Sequence, residues 1–282
     1  MLSDVTTPER VDHVSSQGYA WGYIGSCVPF VVCLLLVLNA GKIGLSMEMS
    51  MMISFAIIAF WWFGLTLPLL KTYQQKYYVE RKPHAMQNSF KRLFETIKNV
   101  RKEKKIFLFL LAFFFYIDSV YTIIDMAYGT ALGFESTGLL LALLLTQVVA
   151  FPFAILFGRL SSKYEAAKLI RVCILAYLGI SIFAIFLTKQ WQFWLLAVLV
   201  GMFQGGIQSL SRSYFTKIIP LEKSGEYFGL MDVCGKGASF LGTTVVGVLS
   251  QKTGQINLSL GALSVFFMLG IVFFRMSEKR EG

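Results

Sequence analysis

Apolar residues run along the chain in eight long blocks, roughly 19–40, 49–70, 106–133, 137–158, 167–188, 191–211, 228–250 and 256–274, separated by polar and often charged stretches. Each block approaches or exceeds the ~20 residues that a helix needs to cross the hydrocarbon core of a bilayer. Lipid offers no partner to open backbone groups, so the blocks are read as helices. Prolines at 29, 68 and 152 lie within or near the ends of blocks. In membrane helices such prolines mark kinks rather than breaks. The pattern therefore predicts an all-α polytopic membrane protein with about eight transmembrane helices.

One polar stretch has a helical period of its own. After Pro83, the segment NSFKRLFETIKNV puts Phe90, Leu93, Phe94, Ile97 and Val100 on one stripe, with Lys91, Arg92, Lys98 and Arg101 elsewhere. That is an amphipathic helix suited to a membrane surface. It divides the chain into residues 1–70 with two spans, a linker at 71–105, and residues 106–282 with six.

Composition agrees with the pattern. Hydrophobic residues make up 56% of the 282 and charged residues 15%, against about 45–50% and about 25% in soluble domains. Disordered chains, disulfide scaffolds and soluble enzymes are excluded on that ground. The net charge of +10 is explained by its location. Lys71, Lys76, Arg81, Lys82, Lys91, Arg92, Lys98, Arg101, Lys102, Lys104 and Lys105 follow the second block. Arg159, Lys163, Lys168 and Arg171, then Arg212, Lys217 and Lys223, then Arg275, Lys279 and Arg280 fall on the same side. The opposite side has Lys42, Lys189 and Lys252. Basic loops face the cytoplasm, so both termini are assigned there and Trp191 and Trp194 to the outer interface. The surplus is a topology signal. The implied partner is the lipid bilayer, and nucleic acid is not.

Cys27, Cys33, Cys173 and Cys234 sit inside apolar blocks without CxxC spacing, and His13 and His84 are the only histidines. No metal site or cofactor is expected from this set. Residues 1–18 are polar and carry both charge signs, unlike a cleavable signal peptide. The absence of processing signals fits a bacterial inner membrane, with an endomembrane or vacuole as the alternative.

Two blocks carry acids. The third contains Asp118 and Asp125, seven residues apart and so on one side of a helix, with Tyr121 and Thr122 on or near that side. An ionised carboxylate at mid-bilayer costs about 2.5–3.5 kcal/mol on translocon scales. It persists if it handles substrate or protons in a transport path, or if it locks one helix to another. The seventh block contains Asp232 and Lys236, an i, i+4 pair with the acid first. Lys236 lies about 12 Å into its helix. Either the pair neutralises itself, or Lys236 reaches Asp118 and is released when the aspartate takes a proton. The sixth block ends with Gly201, Gly205 and Gly206, which permit close helix approach. Gln204 and Gln208 share a face there, followed by Arg212. This is either close packing with a surface arginine or a polar stripe lining a cavity.

No Walker loop, GxSxG, HExxH or dinucleotide fingerprint occurs. The chain is not expected to be an enzyme, and any transport must be driven by a gradient. Asp118 and Asp125 cannot act as an intramembrane protease pair, because two acids about 10 Å apart along one helix do not share a proton.

Four stretches carry a resemblance: VDHVSSQGYAWGYIGS at 11–26, FYIDSVYTIIDMAYG at 115–129, GMFQGGIQSLSRSYF at 201–215 and GEYFGLMDVCGKGASFLG at 225–242. They resemble the vacuole-effluxer-like branch of the major facilitator superfamily, the autophagy-related amino-acid effluxers and their bacterial relatives. A weaker likeness to the superfamily loop motif lies at 157–170. Gly158, Leu160 and Lys163 fit it, while Ser162 stands at the acidic position and Glu165 at the second glycine. The resemblance implies a major-facilitator-type fold of twelve helices in two bundles. By that resemblance the chain is expected to correspond to helices five to twelve, without about four N-terminal ones. The resemblance further implies alternating access for a small organic solute such as an amino acid. A coupling proton is a further candidate partner, and the alternative is a non-transporting membrane fragment or a half that needs a separately encoded N-terminal piece. Asp118, Asp125, Tyr121, Gln204 and Gln208 are the residues expected to meet solute or proton. Arg212, Asp232 and Lys236 are expected in ion pairs or gating.

Overall fold

A computed structural model describes residues 2–76, 85–129, 136–254 and 256–279; within these, the side chains of residues 85–93, 124–129, 136 and 256–257 are not described. A short α1 (Leu2–Val5) precedes α2 (Val11–Leu38) and α3 (Met47–Thr72). Then come α4 (Ala85–Lys102), α5 (Lys104–Gly129), α6 (Ser136–Leu160), α7 (Ala166–Ile185), α8 (Gln190–Ile218), α9 (Ser224–Thr253), α10 (Ile256–Gly261) and α11 (Leu263–Glu278). Among the described residues, eight helical stretches are long and apolar enough to cross a membrane, as the hydropathy pattern predicts.

The ends of these helices have local chemical causes. Ser46 caps α3 by accepting a hydrogen bond from the Met49 amide at 3.2 Å. The Gln192 side-chain oxygen accepts from the amides of Thr188 and Lys189, both at 2.8 Å, and so ties down the start of α8. Gly254 ends α9 at φ 66°, a left-handed position that a side chain would resist. Pro29, Pro68 and Pro152 all lie inside continuous helices. The eighth block differs from its sequence reading: instead of one helix it is α10 and α11, joined at Ala262. The Ala262 amide is shared between the carbonyls of Leu258 and Ser259. Just before it, Gly261 admits the Ile185 side chain of α7 into contact with its backbone.

Helices α5 to α11 form a bundle around a core rich in aromatic rings. Phe109 packs with Phe113, Tyr214, Phe215 and Phe274, and Phe115 stacks on Phe273. The seam between α6 and α8 is closed by small residues. A Cβ on Gly201 would stand 2.7 Å from the Thr146 carbonyl oxygen, one on Gly205 2.7 Å from Ala154, and one on Gly206 2.5 Å from the Phe157 ring. Helix α2 lies against both α6 and α8, while α3 packs mainly on α2. In α3 only Ser50 and Ser54 are buried, and Phe60 and Trp62 are more than 70% exposed.

Cross-chain bonds gather the basic segments at one end of the molecule. Ser3 bonds Ser224 at 3.1 Å, and the Ser277 hydroxyl donates to the Lys105 carbonyl at 2.9 Å. Asp4 accepts from the Tyr73 hydroxyl at 2.6 Å and from the Lys76 amide at 3.2 Å. The bond to Asp4 pushes the Tyr73 hydroxyl up to about 12. That phenol therefore keeps its proton, and the link between α1 and the end of α3, across the whole neutral range. The amphipathic helix predicted after Pro83 is α4, held to α9 by a 2.8 Å bond from Thr96 to Glu226. On its described part Val100 is buried and Phe94 is 69% exposed; Phe90, Leu93, Lys91 and Arg92 lie outside the described side chains.

Candidate functional site

An open cavity of about 710 Å³ lies between α2, α8, α1 and the end of α3. Polar groups converge on it from three helices: Tyr19 and Tyr23 from α2, Gln147 from α6, and Gln208 and Arg212 from α8. The spacing 19, 23 on α2 and 208, 212 on α8 places each pair one turn apart on a common face. The Tyr23 hydroxyl donates to Gln208 Oε1 at 2.8 Å. Arg212 engages the Tyr19 hydroxyl, and its guanidinium carbon lies 5.0 Å from the centre of the Phe228 ring. The Gln147 side-chain oxygen is buried without a hydrogen-bond partner. The site thus offers a cation, phenol groups and unsatisfied amide capacity beside an apolar wall of Leu2, Val5, Val14 and Leu69. Such a mixture fits a small polar molecule.

Below it, α2 is stitched to α8 and α6 by short polar side chains. Ser15 donates to the Ser209 carbonyl at 2.8 Å, and Ser16 meets the Ser209 hydroxyl at 3.1 Å. Gly158 makes room for this: a Cβ there would stand 2.7 Å from that of Ser16. Lys217 of α8 pairs with Asp12 of α2 at 2.6 Å, with the Asp12 side chain only 10% exposed. Lys217→Met is expected to strand that carboxylate and cost about 2 kcal/mol. Thermal unfolding in detergent should show a lower midpoint that Asp12→Asn partly restores in the double variant. An unchanged midpoint in Lys217→Met would remove the pair from the list of contacts that hold α2.

Asp118 does not line this cavity. It is fully buried between α5 and α9, where Oδ1 accepts from the Gly242 amide at 3.2 Å and from Thr122 at 3.5 Å, while Oδ2 has no partner. These contacts tie α5 to α9 through the Asp118 carboxyl. Lys236 does not reach Asp118: it is exposed, and no ion pair joins them. The reason is helical phase, since the six residues from Lys236 to Gly242 are about 1.7 turns and put the two on different flanks of α9. Asp232 is exposed as well, and among the described ion pairs none joins it to Lys236 or Arg212.

The remaining predicted residues divide. Gln208 and Arg212 lie at the cavity. Gln204, one turn deeper, is buried with an unpartnered Oε1. Tyr121 is half-buried and near enough to interact with Tyr23. Asp125 lies outside the described side chains. In the loop motif Gly158 packs on α2, Leu160 rests on the core and Lys163 is exposed. Glu165, at the second glycine position, pairs with Lys168 at 3.3 Å. Sequence reasoning missed Tyr19, Tyr23, Gln147 and Asp12. The Tyr19–Tyr23 spacing on an otherwise apolar helix was the available signal.

Eight membrane-length apolar helices among the described residues define a polytopic integral membrane protein. The sequence profile described as vacuole effluxer Atg22-like matches residues 3–282, and the chain belongs to that family. An uncharacterized MFS-type transporter of Bacillus subtilis (strain 168), YxiO, is 42% identical over 275 residues, covering 96% of this chain and 64% of the relative. Autophagy-related protein 22-1 of Aspergillus fumigatus is 26% identical over 302 residues, covering 95% of this chain and 48% of the relative. Autophagy-related protein 22 of Kluyveromyces lactis is 23% identical over 293 residues, covering 95% and 58%. The chain thus spans between about half and just under two thirds of the length of these relatives.

Proposed function

We propose that the chain forms part of a gradient-driven transporter that moves a small polar organic solute, of which amino acids are the first class to test. The observation that carries this reading is the cavity between α2 and α8, where Tyr19, Tyr23, Gln208 and Arg212 meet inside membrane-embedded helices. The family membership and the relative named as an MFS-type transporter support it. Alternating access follows as movement of residues 1–70, with their linker at 71–105, against the bundle at 106–282. Asp118 serves in this scheme as the α5–α9 lock, and Tyr121, Gln204 and Gln208 line the solute's route. Asp125 is retained as a proton-coupling candidate. The location proposed is a bacterial plasma membrane, on the likeness to the Bacillus relative.

A second reading is favoured by α3, whose face is almost wholly exposed, and by the exposed Asp232 and Lys236 on α9. Charges within spans are costly unless they meet a partner or a wet cavity. In this reading the chain transports only together with a separately encoded helical piece that covers these faces.

Reconstitution into proteoliposomes tests both. Uptake of a panel of amino acids is followed with and without a pH gradient, for wild type and Asp118→Asn. Saturable uptake by the chain alone supports the first reading. Uptake that appears only on co-reconstitution with the upstream third of a longer relative supports the second. No uptake from the panel in either form, alongside a working full-length relative, sinks the transport assignment for this chain.

A further inference from the structure

A second groove, of about 230 Å³, lies away from the α2 cavity and owes nothing to the transport reading. Its walls are Phe107, Leu111 and Phe114 of α5 with Leu230 and Cys234 of α9, and Arg101 of α4 stands at its mouth. Residues 107 to 114 rise about 10 Å along α5, all of it apolar. The mouth lies where α4 turns into the first residue of the α5 span, which is the level of lipid headgroups. Around it Lys98, Arg101, Lys102 and Lys104 are exposed and make no ion pair within 4 Å among the described residues. Of the nearby acids, Glu226 accepts from Thr96 and Glu103 interacts with the Tyr227 hydroxyl, while Glu95 is exposed on α4 six residues before Arg101, so the four cations still outnumber it. The groove is too small for a helix, whose diameter with side chains is about 10–12 Å. Flexible hydrocarbon fits an apolar slot of this width.

We propose that this groove binds an anionic phospholipid, with the phosphate against Arg101 and one acyl chain between α5 and α9. The excess of unpaired cations selects a negative headgroup, and the apolar walls demand a chain attached to it. Bound there, the lipid fastens the basic end of α4 to the bundle. The free groove face of α4, including Ile97, then rests on hydrocarbon.

The test uses the purified chain in detergent, mixed with equal amounts of phosphatidylglycerol and phosphatidylcholine of matched acyl chains. Retention is read by native mass spectrometry, with glycerol 3-phosphate as a headgroup without a chain. Phosphatidylglycerol should be retained over phosphatidylcholine by roughly fivefold or more, and Arg101→Gln should remove about that factor. Leu111→Trp fills the slot and should lower retention of both lipids; Cys234→Phe does the same if the first variant does not fold. Glycerol 3-phosphate alone should not be retained. Equal retention of the two lipids overturns the proposal, as does wild-type retention in Arg101→Gln or in a folded groove-filling variant. Retention of glycerol 3-phosphate on its own would replace it with a simple phosphate site.

Discussion

Gly242→Val should abolish most recovery of folded protein. A Cβ at this position would stand 2.6 Å from both carboxylate oxygens of Asp118 and in hard contact with Thr122. Helix α9 can accommodate that only by backing away from α5, which breaks the Gly242 amide bond that Asp118 accepts. The carboxyl would then be buried with only the long 3.5 Å bond from Thr122 left to it. Overpacking and a stranded polar group each cost about 1–3 kcal/mol. Together they should lower the unfolding midpoint in detergent by on the order of 10 °C. Gly242→Ala should fall between. Because the clash is with one named side chain, Asp118→Ala should restore part of the loss in the double variant. Additive losses in that pair, measured by fluorescence-detected size exclusion after heating, would mean that Gly242 matters for some reason other than Asp118.

The second large effect is expected on transport rather than on folding. Arg212 borders the open cavity, engages Tyr19 and lies against Phe228. Replacing it with Gln removes the fixed charge while keeping a polar side chain of similar reach. If a solute anion or carboxylate meets this guanidinium, the lost charge-assisted bond is worth about 1.5–3 kcal/mol. That corresponds to a roughly 10- to 100-fold fall in uptake at low solute concentration. Arg212→Lys should recover only a fraction, since an ammonium lacks the planar fork. Gln208→Leu should act differently. It strands the buried Tyr23 hydroxyl and should lower uptake and thermal stability together. Full uptake by Arg212→Gln, in a preparation where wild type is active, would move the solute's path away from the α2–α8 cavity.

Much of the fold was legible because the bilayer imposes a length and a polarity that any sequence must display. Seven of the apolar blocks and the period after Pro83 each fall on one helix, α2 and α8 running further toward the cytoplasmic side than hydropathy alone marks, while the eighth block is split at Ala262. The small-residue run Gly201, Gly205 and Gly206 also meant what it suggested, a close seam with α6. What hydropathy does not encode is rotation. Asp118 and Lys236 looked like partners because both are charges within spans, yet about 1.7 turns of α9 separate Lys236 from the surface that faces Asp118. The true partner is a backbone amide, and Gly242 advertises nothing but the absence of a side chain. Asp12 and Lys217 are separated by 205 residues, and nothing local links an acid near the start of one helix to a lysine near the end of another. The Gln204–Gln208–Arg212 stripe was visible on α8. Its counterparts Tyr19 and Tyr23 were hidden among the aromatic residues that membrane helices carry as a matter of course.

The two sides of α8 are bonded in unlike ways. Toward α5 and α11, ring lies against ring, and no solvent molecule can substitute for that contact. Toward α2, the fastening is a row of hydroxyls, one amide, Arg212 on Tyr19 and the Lys217–Asp12 pair, polar groups that water can solvate in place of one another. Such a seam unzips without exposing grease. Under thermal agitation it is the line along which the molecule would come apart first, at the microsecond-to-millisecond pace of domain-scale motion, while the aromatic half keeps its shape.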